Sequence, residues 1–327
     1  MVFSLFGRNW KYINIEIKDH CIRYVELKQG AEPSVARCGE HYLPPGLIRN
    51  GKMEDYETLK TIMEQCVAEW KIARRQVCFL TPDHSIVLRK VLIDKTVKDD
   101  EIQGHLYLQL GTSIHLPFEE PVFDTVTLGE KDDQKEILLF AASEQQVSQY
   151  HKLLEDCKLD PVVADISSLA IYRLLHTLGQ TTPEEHTMVL QWDLLNVNVS
   201  VFTDDKPNFM RHLQIPIDPE SWDKTGMSEW VYQDGEDAYF RTLEDVYTEI
   251  DRVMSFYKYN LANGEYEVSK IIVAGDHPFL EKIIANLRER YTVPVSSVDY
   301  EGIQTESSDI LPPPFALPVG LGLREGI

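Results

Sequence analysis

One sequence pattern occurs twice in this chain, and it constrains the fold more than any other feature. The stretch YINIEIKDHCIRYVEL (12–27) alternates apolar and polar residues on both sides of a short turn, as two paired β-strands do. The stretch MVLQWDLLNVNVSVF (188–202) has the same layout and places Asp193 where the first hairpin has Lys18. The chain is therefore predicted to be an internal duplication.

The segments that follow each hairpin alternate between strand and helix patterns. DYETLKTIMEQCVAEWKI (55–72) and TLEDVYTEIDRVMSFYKYNL (242–261) carry apolar residues at spacings of three and four, which is typical of amphipathic helices. The short apolar runs QVCFLTP (76–82) and KIIVAG (270–275) are typical of buried strands. These patterns predict a mixed α/β protein.

Charge and composition limit the partners that such a protein can have. The 53 acidic residues outnumber the 32 basic ones, and the resulting formal net charge of -21 opposes contact with nucleic acid or anionic lipid. A basic partner segment would be attracted instead. No apolar run approaches the roughly 20 residues of a membrane span, so we expect a cytoplasmic protein.

The sequence offers no strong metal-binding or nucleophile motif. The five cysteines include no C-x-x-C pair, and their odd number disfavours a disulfide framework. The ten histidines show neither H-x-x-x-H nor H-E-x-x-H spacing. No serine lies in a G-x-S-x-G context, so no hydrolase-type nucleophile is predicted.

Several segments, in chain order, resemble the PilM family of type IV pilus assembly proteins, which have an actin-like fold related to that of FtsA. NIEIKDHCIRYVEL (14–27) is similar to the family's first hairpin, GIDIGSSSVKLVEL. The long segment from HLPFEE to IYRLL (115–175) is similar to the family's middle region. EIDRVMSFY (249–257) and PPPFALPVGLGLR (312–324) are similar to its late helix and its C-terminal motif.

The resemblance implies a duplicated, ribonuclease H-like actin fold with an inserted α+β subdomain of the SHS2 type. Four units are expected. The first actin-like domain comprises 1–83 and 161–185, the inserted subdomain 84–160, the second actin-like domain with its own subdomain 186–315, and a C-terminal helix that returns to the first domain 316–327.

The match fails at the positions that would contact a nucleotide. In the actin-like fold a glycine in each hairpin turn lets backbone N–H groups approach the phosphates, but here those positions hold Lys18 and Asp193. The hairpin aspartates that hold magnesium through water correspond to Glu16 and Gln191. The glycine-rich turn that accepts adenosine reads AGDHP and keeps only Gly275.

These substitutions predict a degenerate nucleotide cleft, because Asp193 would repel a triphosphate and Gln191 removes a charge from the magnesium site. A competing interpretation makes Lys18 a phosphate ligand, as the lysine of a P-loop is. Glu249 and Arg252 share a helical face near the expected nucleoside site, and a solvated ion pair is the simpler interpretation of them. The candidate cleft residues are Glu16, Lys18, Asp19, Gln191, Asp193, Asn196, Glu249, Arg252, Gly275 and Asp276.

The resemblance implies a non-enzymatic scaffold at the cytoplasmic face of a pilus or pseudopilus assembly platform, peripheral to the membrane through its partners. Its expected partner is the cytoplasmic N-terminal segment of a single-pass, PilN-like membrane protein, with further contacts to the platform protein and the assembly ATPase. We expect Glu119 and Glu120 to contribute to binding that segment, and we expect no cofactor. The alternatives are an actin-like switch that binds ATP with magnesium and hydrolyses it slowly, and a type II secretion platform component.

Overall fold

The structure is a computed structural model that describes residues 12–28, 34–225, 229–305 and 310–324. The strands are β1 (Ile13–Ile17), β2 (Cys21–Leu27), β3 (Ser34–Tyr42), β4 (Ile48–Arg49), β5 (Lys52–Met53), β6 (Gln76–Leu80), β7 (Val87–Asp94), β8 (Pro121–Lys131), β9 (Gln134–Ser143), β10 (Asp160–Asp165), β11 (Thr187–Trp192), β12 (Asn196–Thr203), β13 (Lys206–Gln214), β14 (Trp222–Thr225), β15 (Glu229–Tyr232), β16 (Lys270–Gly275), β17 (Val295–Ser297) and β18 (Gln304–Thr305). The helices are α1 (Tyr56–Trp70), α2 (Ile102–Gln109), α3 (Glu144–Asp156), α4 (Ser167–Thr177), α5 (Glu236–Phe256), α6 (Leu280–Arg290) and α7 (Ala316–Gly322).

Two sheets share one strand order. The first is β3-β2-β1-β6-β10, with β18 added beside β3, and the second is β13-β12-β11-β16-β17. In both sheets an antiparallel hairpin is followed by a parallel strand on its other side. The two hairpins also share a register, since Glu16 lies opposite Arg23 and Gln191 lies opposite Asn198, 175 residues later in each case. The predicted duplication is confirmed.

A single apolar core joins the two sheets. Helices α4 and α7 contribute Ile171, Leu175 and Val319, which pack with residues of both β2 and β11. The rings of Tyr172 and Phe202 stack across this boundary with their centroids 3.9 Å apart. Because apolar surface of both halves is removed from water in one cluster, each half stabilises the other.

The inserted subdomain has a core of its own. Its antiparallel sheet, β7-β9-β8, is covered by α2, and Ile93, Leu106 and Ile137 are buried between them. The predicted insert, 84–160, also contains α3. The structure packs the buried face of α3, including Leu153 and Leu154, into the core of the first sheet beside α1.

The hairpin β14–β15 and the long helix α5 pack into the same core as the second sheet. One stripe of α5, which includes Leu243, Val246 and Ile250, packs against the second sheet, whereas its other face is polar. A π turn at Tyr257–Leu261 ends the helix. Within the described parts of the chain, no helix is both long and apolar enough to cross a bilayer.

The last described helix, α7, packs against α4 and against strands β1 and β2. Its approach is close: a Cβ on Gly320 would lie 2.1 Å from the carbonyl oxygen of Ala170 on α4. The Arg173 side chain donates a hydrogen bond of 2.8 Å to the Gly320 carbonyl. Residues 325–327 lie outside the described residues.

Candidate functional site

The two equivalent hairpin turns face each other and close in the same way. The backbone N–H of Lys18 donates to the carbonyl of Cys21 at 2.8 Å, and that of Asp193 donates to the carbonyl of Asn196 at 2.9 Å. No residue of either turn has a positive φ. These bends therefore do not require glycine, and a glycine here would serve only the close approach of a ligand.

Lys18 connects the two turns. Its Nζ lies 3.2 Å from Asp193 Oδ2 on the other hairpin and 3.2 Å from Glu16 Oε1 on its own strand. The side chains of Lys18 and Asp193 are only 18% and 10% exposed, so this pair lies inside the cleft rather than at its surface. The two equivalent hairpin turns are therefore joined by an ion pair.

Arg23 extends this arrangement to the far side of the cleft. It is fully buried on β2, its guanidinium pairs with Asp276, and its Nε donates to Glu40 at 2.5 Å. Its Nη1 also lies 3.7 Å from Glu16 Oε2. Sequence reasoning missed Arg23, although an arginine opposite Glu16 in an apolar hairpin was a signal that could have revealed it. We call Glu16, Lys18, Arg23, Asp193 and Asp276 the cleft network.

The cleft network favours the ionised forms of Asp193 and Asp276 despite their burial. Burial raises the pKa of Asp193, but the Lys18 ammonium and the neighbouring His20 outweigh it and hold that pKa below its usual value. Burial also raises the pKa of Asp276, but Arg23 and Lys18 outweigh it and hold that pKa below its usual value. Two cations and three carboxylates thus share one enclosed space, where an ion pair is strong and an unpaired charge is costly.

Glu16 behaves differently from the other acids. Burial raises its pKa above the usual value, even though Lys18 and Arg23 oppose that shift. Neither of its carboxylate oxygens receives a hydrogen bond from a described residue. Its two oxygens face cations of the same chain, Lys18 at 3.2 Å and Arg23 at 3.7 Å, without a hydrogen bond among the described residues.

A further acid, the partly buried Asp83, lies beside the cleft network. Asp83 accepts hydrogen bonds from the Ser167 hydroxyl and from Asn198 Nδ2, the latter at 2.6 Å. Burial raises the pKa of Asp83 to about 6 against these hydrogen bonds. Gln191, at the position that corresponds to a magnesium-holding aspartate, donates instead to Ser168 Oγ at 3.1 Å.

The remaining candidate residues of the first hairpin and of β12 lie at the edge of this cleft. Asp19 accepts backbone hydrogen bonds from Asn50 and Gly51 at 2.6 and 2.8 Å, and so fixes the β4–β5 hairpin. Asn196 begins β12 and lines a small cavity of about 50 Å³ together with Glu16 and other turn residues. Within the described ranges, no group of three or more His, Cys, Asp or Glu side chains is placed to hold a metal ion.

The candidate residues of the second domain are divided between the cleft and the surface. Gly275 ends β16 with φ 134°, and a Cβ there would lie 2.0 Å from the backbone oxygen of Trp192, so close strand packing requires this glycine. Glu249 pairs with Arg252 one turn along α5 and with Arg211 at 2.6 Å. These two ion pairs involve partly exposed side chains on α5 and β13.

Aromatic side chains fill the space behind the AGDHP turn. His277 stacks on Tyr239 with ring centroids 4.9 Å apart, and the Trp222 ring lies edge to face with it, with centroids 5.3 Å apart. Burial lowers the pKa of His277 to about 3, so the ring is neutral at physiological pH. Sequence analysis did not identify this cluster, because its members come from three separate segments.

Glu119 and Glu120 lie on the inserted subdomain, far along the chain from the cleft residues. Both side chains are exposed, and Glu119 borders a groove of about 590 Å³. The walls of the groove are mainly apolar and include Tyr107, Leu116 and Phe118. Tyr107 is 65% exposed, which is high for a large aromatic side chain.

The repeated sheets, the facing hairpins and the inserted α+β subdomain define a protein of the actin-like fold. Residues 14–215 match the family described as type IV pilus assembly protein PilM, and the chain belongs to this family. The resemblance stated from the sequence is thereby confirmed. No curated protein sequence matches the chain.

Solved structures show the same fold. The "PilM-PilN type IV pilus biogenesis complex" is similar with a TM-score of 0.78 and 18% identity, over 97% of this chain and 98% of that one. The ethanolamine utilization protein EutJ from Carboxydothermus hydrogenoformans is similar with a TM-score of 0.51 and 11% identity, over 95% of this chain and 89% of that one.

Proposed function

We propose that this protein is a non-enzymatic scaffold of a type IV pilus assembly platform, and that its actin-like cleft is retained for architecture. The observation that carries the proposal is the ion pair between the two hairpin turns. Lys18 and Asp193 neutralise each other at 3.2 Å in the space where a phosphate would be bound. A nucleotide would have to separate this buried pair before its phosphates could enter.

The residues of the cleft do not fit ATP with magnesium. Asp193 and Asp276 would both face the triphosphate, and like charges at short range disfavour binding. Gln191 supplies no charge at the position of a magnesium-holding aspartate, and its amide is bonded to Ser168. His277, in the turn that accepts adenosine elsewhere in the fold, belongs to a packed aromatic cluster.

The proposed partner is the cytoplasmic N-terminal segment of a PilN-like membrane protein. Membership in the PilM family and similarity to the solved PilM-PilN complex support this choice. The groove beside Glu119 offers apolar walls and an acidic edge, which suits a short segment with apolar and basic residues. Basic residues are common next to the cytoplasmic end of a membrane span. In this arrangement the protein lies at the cytoplasmic face of the membrane and is attached to it through its partner.

Binding of that segment tests the partner proposal. A synthetic peptide of the cytoplasmic segment of a PilN-like protein is titrated calorimetrically into the protein and into the Glu119→Lys/Glu120→Lys variant. We expect the variant to bind at least tenfold more weakly, because two attractive charges become repulsive. The control is Glu281→Lys/Glu289→Lys, which makes the same charge change on exposed positions of α6. Equal affinity of all three proteins would place the peptide elsewhere.

A second titration tests the cleft. ATP with magnesium is added at millimolar concentration to folded protein, and no saturable heat is expected. One-site binding that is lost in Lys18→Met would instead show that Lys18 is a phosphate ligand, and it would favour the alternative of a nucleotide-controlled switch.

A further inference from the structure

One end of the first sheet carries basic side chains that belong neither to the cleft network nor to the groove beside Glu119. At this end β1 begins, and the strand register places Ile13 beside Glu26 of β2 and Val77 of β6. Because β6 also pairs with β10, the loops that lead into these two strands meet here, next to the end of α1. We call the basic side chains of this surface the basic end: Arg37, Lys71, Arg74, Arg75 and Lys158.

Backbone and side-chain contacts hold these residues together. The backbone N–H of Arg74 donates to the carbonyl of Lys158 at 2.7 Å, and the Arg37 side chain donates to the last carbonyl of α1. Arg37 and Arg75 share the acid Glu26: Arg75 Nη2 lies 2.7 Å from its Oε1, and Arg37 Nη1 lies 3.6 Å from its Oε2. The five cations therefore lie on one part of the surface.

The basic end reverses the charge balance of the chain. Lys71, Arg74 and Lys158 are exposed, and no described carboxylate lies within ion-pair distance of them. The neighbouring acids of α3, Glu155 and Asp156, are engaged by a histidine of α3 and a lysine of α1. Acids outnumber bases by 53 to 32 in the whole chain, whereas five bases here meet three further acids. These acids are Glu26, Glu69 and Asp160.

The backbone at the three unpaired cations is unusual. Nine non-glycine residues among those described have a positive φ, and six of them are Asn or Asp, which tolerate this conformation best. The other three are Lys71, Arg74 and Lys158, with φ of 57°, 63° and 63°. A cation after a helix is favoured by the helix dipole, which accounts for Lys71 and Lys158 but not for Arg74. Glycine or asparagine would fit each position with less strain, so the basic side chains indicate a role for their charge.

The start of the chain adds a second feature at the same end. Residues 1–11, with the sequence MVFSLFGRNWK, lie outside the described residues and are joined to Tyr12, which packs against the cluster that contains Cys78 and Leu321. This sequence contains large apolar residues and two basic ones, Arg8 and Lys11, but no acid. Such a composition is typical of segments that lie in the interface of an anionic bilayer, where tryptophan is common.

We propose that the basic end and residues 1–11 together bind the surface of an anionic lipid bilayer. The exposed cations would pair with lipid headgroups, and the apolar side chains of the segment would enter the interface. The formal net charge of -21 does not prevent this, because charges more than about 8 Å away are largely screened at physiological ionic strength. The proposal does not depend on a PilN-like partner, because this surface includes neither the cleft network nor the groove beside Glu119.

Vesicle flotation of the full-length protein, without any partner protein, tests the proposal. Vesicles of phosphatidylcholine and phosphatidylglycerol in equal parts are compared with vesicles of phosphatidylcholine alone. We expect at least tenfold tighter binding to the anionic vesicles, and weaker binding as the salt concentration is raised. Phe3→Ser/Phe6→Ser/Trp10→Ser should bind the anionic vesicles at least tenfold more weakly than wild type, because it removes the apolar contribution of the segment.

A second variant separates the role of the charges from a structural role. Lys71→Asn/Arg74→Asn/Lys158→Asn removes three charges and introduces a residue type suited to positive φ. It should unfold at the same temperature as wild type or a higher one, yet bind anionic vesicles at least tenfold more weakly. The control removes three charges from exposed positions elsewhere and should bind like wild type: Lys98→Gln/Arg252→Gln/Lys282→Gln.

Four outcomes would overturn the proposal. Equal binding to both kinds of vesicle would show that anionic lipid is not selected. Equal binding by the asparagine variant and its control would show that the basic end does not contact the lipid. Undiminished binding by the serine variant would exclude residues 1–11 from the interface. Binding of a single-stranded oligonucleotide, with no binding to either vesicle, would assign the basic end to nucleic acid instead.

Discussion

At the scale of single residues, the cleft network explains why a lysine can occupy a turn that holds glycine elsewhere in the fold. The turn itself needs no positive φ, so the change from glycine meets no backbone strain. The longer side chain then reaches the acid of the equivalent turn in the other repeat. The equivalent turns of the two repeats are thus joined by a direct ion pair.

Removing only one side chain of the buried Lys18–Asp193 pair should lower the free energy of unfolding more than removing both. Lys18→Met leaves Asp193 and Glu16 buried with less compensation, and we expect it to lower the free energy of unfolding by about 3–5 kcal/mol. The double variant Lys18→Met/Asp193→Leu should recover more than half of that loss. Urea unfolding measures both, with Lys282→Met as the control, since Lys282 pairs with Glu236 but is 63% exposed. A double variant less stable than Lys18→Met would contradict this account.

The contribution of Asp193 should depend on pH. Its pKa in the folded protein lies below the ordinary value of 3.8, so the ionised form stabilises the fold fully above about pH 5, and this stabilisation declines as pH falls below 3.8 and is lost as pH falls through the lower folded pKa. We expect Asp193→Asn to be about 3 kcal/mol less stable than wild type at pH 7. The difference should begin to shrink below about pH 4, because Asp193 then binds a proton in the unfolded wild-type chain while it stays ionised in the folded protein. Urea unfolding of both proteins between pH 3 and 7 measures it, and a pH-independent difference would disprove the ionic role.

Sequence reasoning located most of these residues without finding their partners. Position in the hairpin was enough to single out Lys18 and Asp193, because the turn is recognisable from the strand period on each side. The ion pair between them depends on how two hairpins that are distant in sequence face each other, and the local sequence of either hairpin does not encode that arrangement. Arg23 was missed for the same reason, since its main partner Asp276 lies 253 residues away.

At the scale of elements, the periods of two and of 3.6 residues were sufficient to predict the hairpins and the main helices. They were less informative about what each helix packs against. The apolar stripe of α3 shows that one face is buried, yet the sequence boundaries assigned that helix to the insert, and the structure packs it on the first sheet. An amphipathic pattern defines a buried face but not its neighbour.

Two helical glycines should respond in opposite ways to the same substitution. Gly104 on α2 has open space around its Cβ position, so Gly104→Ala should raise the free energy of unfolding by up to about 1 kcal/mol through helix propensity. Gly320→Ala should lower it by about 2 kcal/mol or more, because the new methyl group meets the Ala170 backbone and separates α7 from α4. Thermal and urea unfolding compare the two variants. Stabilisation by both would show that α7 is not closely packed.

At the scale of the whole molecule, the duplication and the family resemblance together predicted the actin-like arrangement. The core that joins the two sheets could not be deduced from either, because it depends on α4 and α7 lying between sheets that are far apart in sequence. The structure therefore contains one large cooperative body and, on it, an insert with a separate core.

This architecture predicts that the insert can unfold alone. Leu106 and Phe202 are each at most 1% exposed, the first in the core of the insert and the second in the core shared by the sheets. Truncation of either residue to Ala should lower the free energy of unfolding of the unit that contains it by about 3–5 kcal/mol. None of the five tryptophans falls within 84–160, so tryptophan fluorescence does not report on the insert, whereas far-UV circular dichroism follows all of the secondary structure. In Leu106→Ala the dichroism should therefore begin to change at a lower temperature than the fluorescence, while in Phe202→Ala both signals should shift together.

If the two signals coincide in Leu106→Ala as well, the insert is not an independent unit, and its unfolding is coupled to the sheets through α3 and the strands that connect it to them.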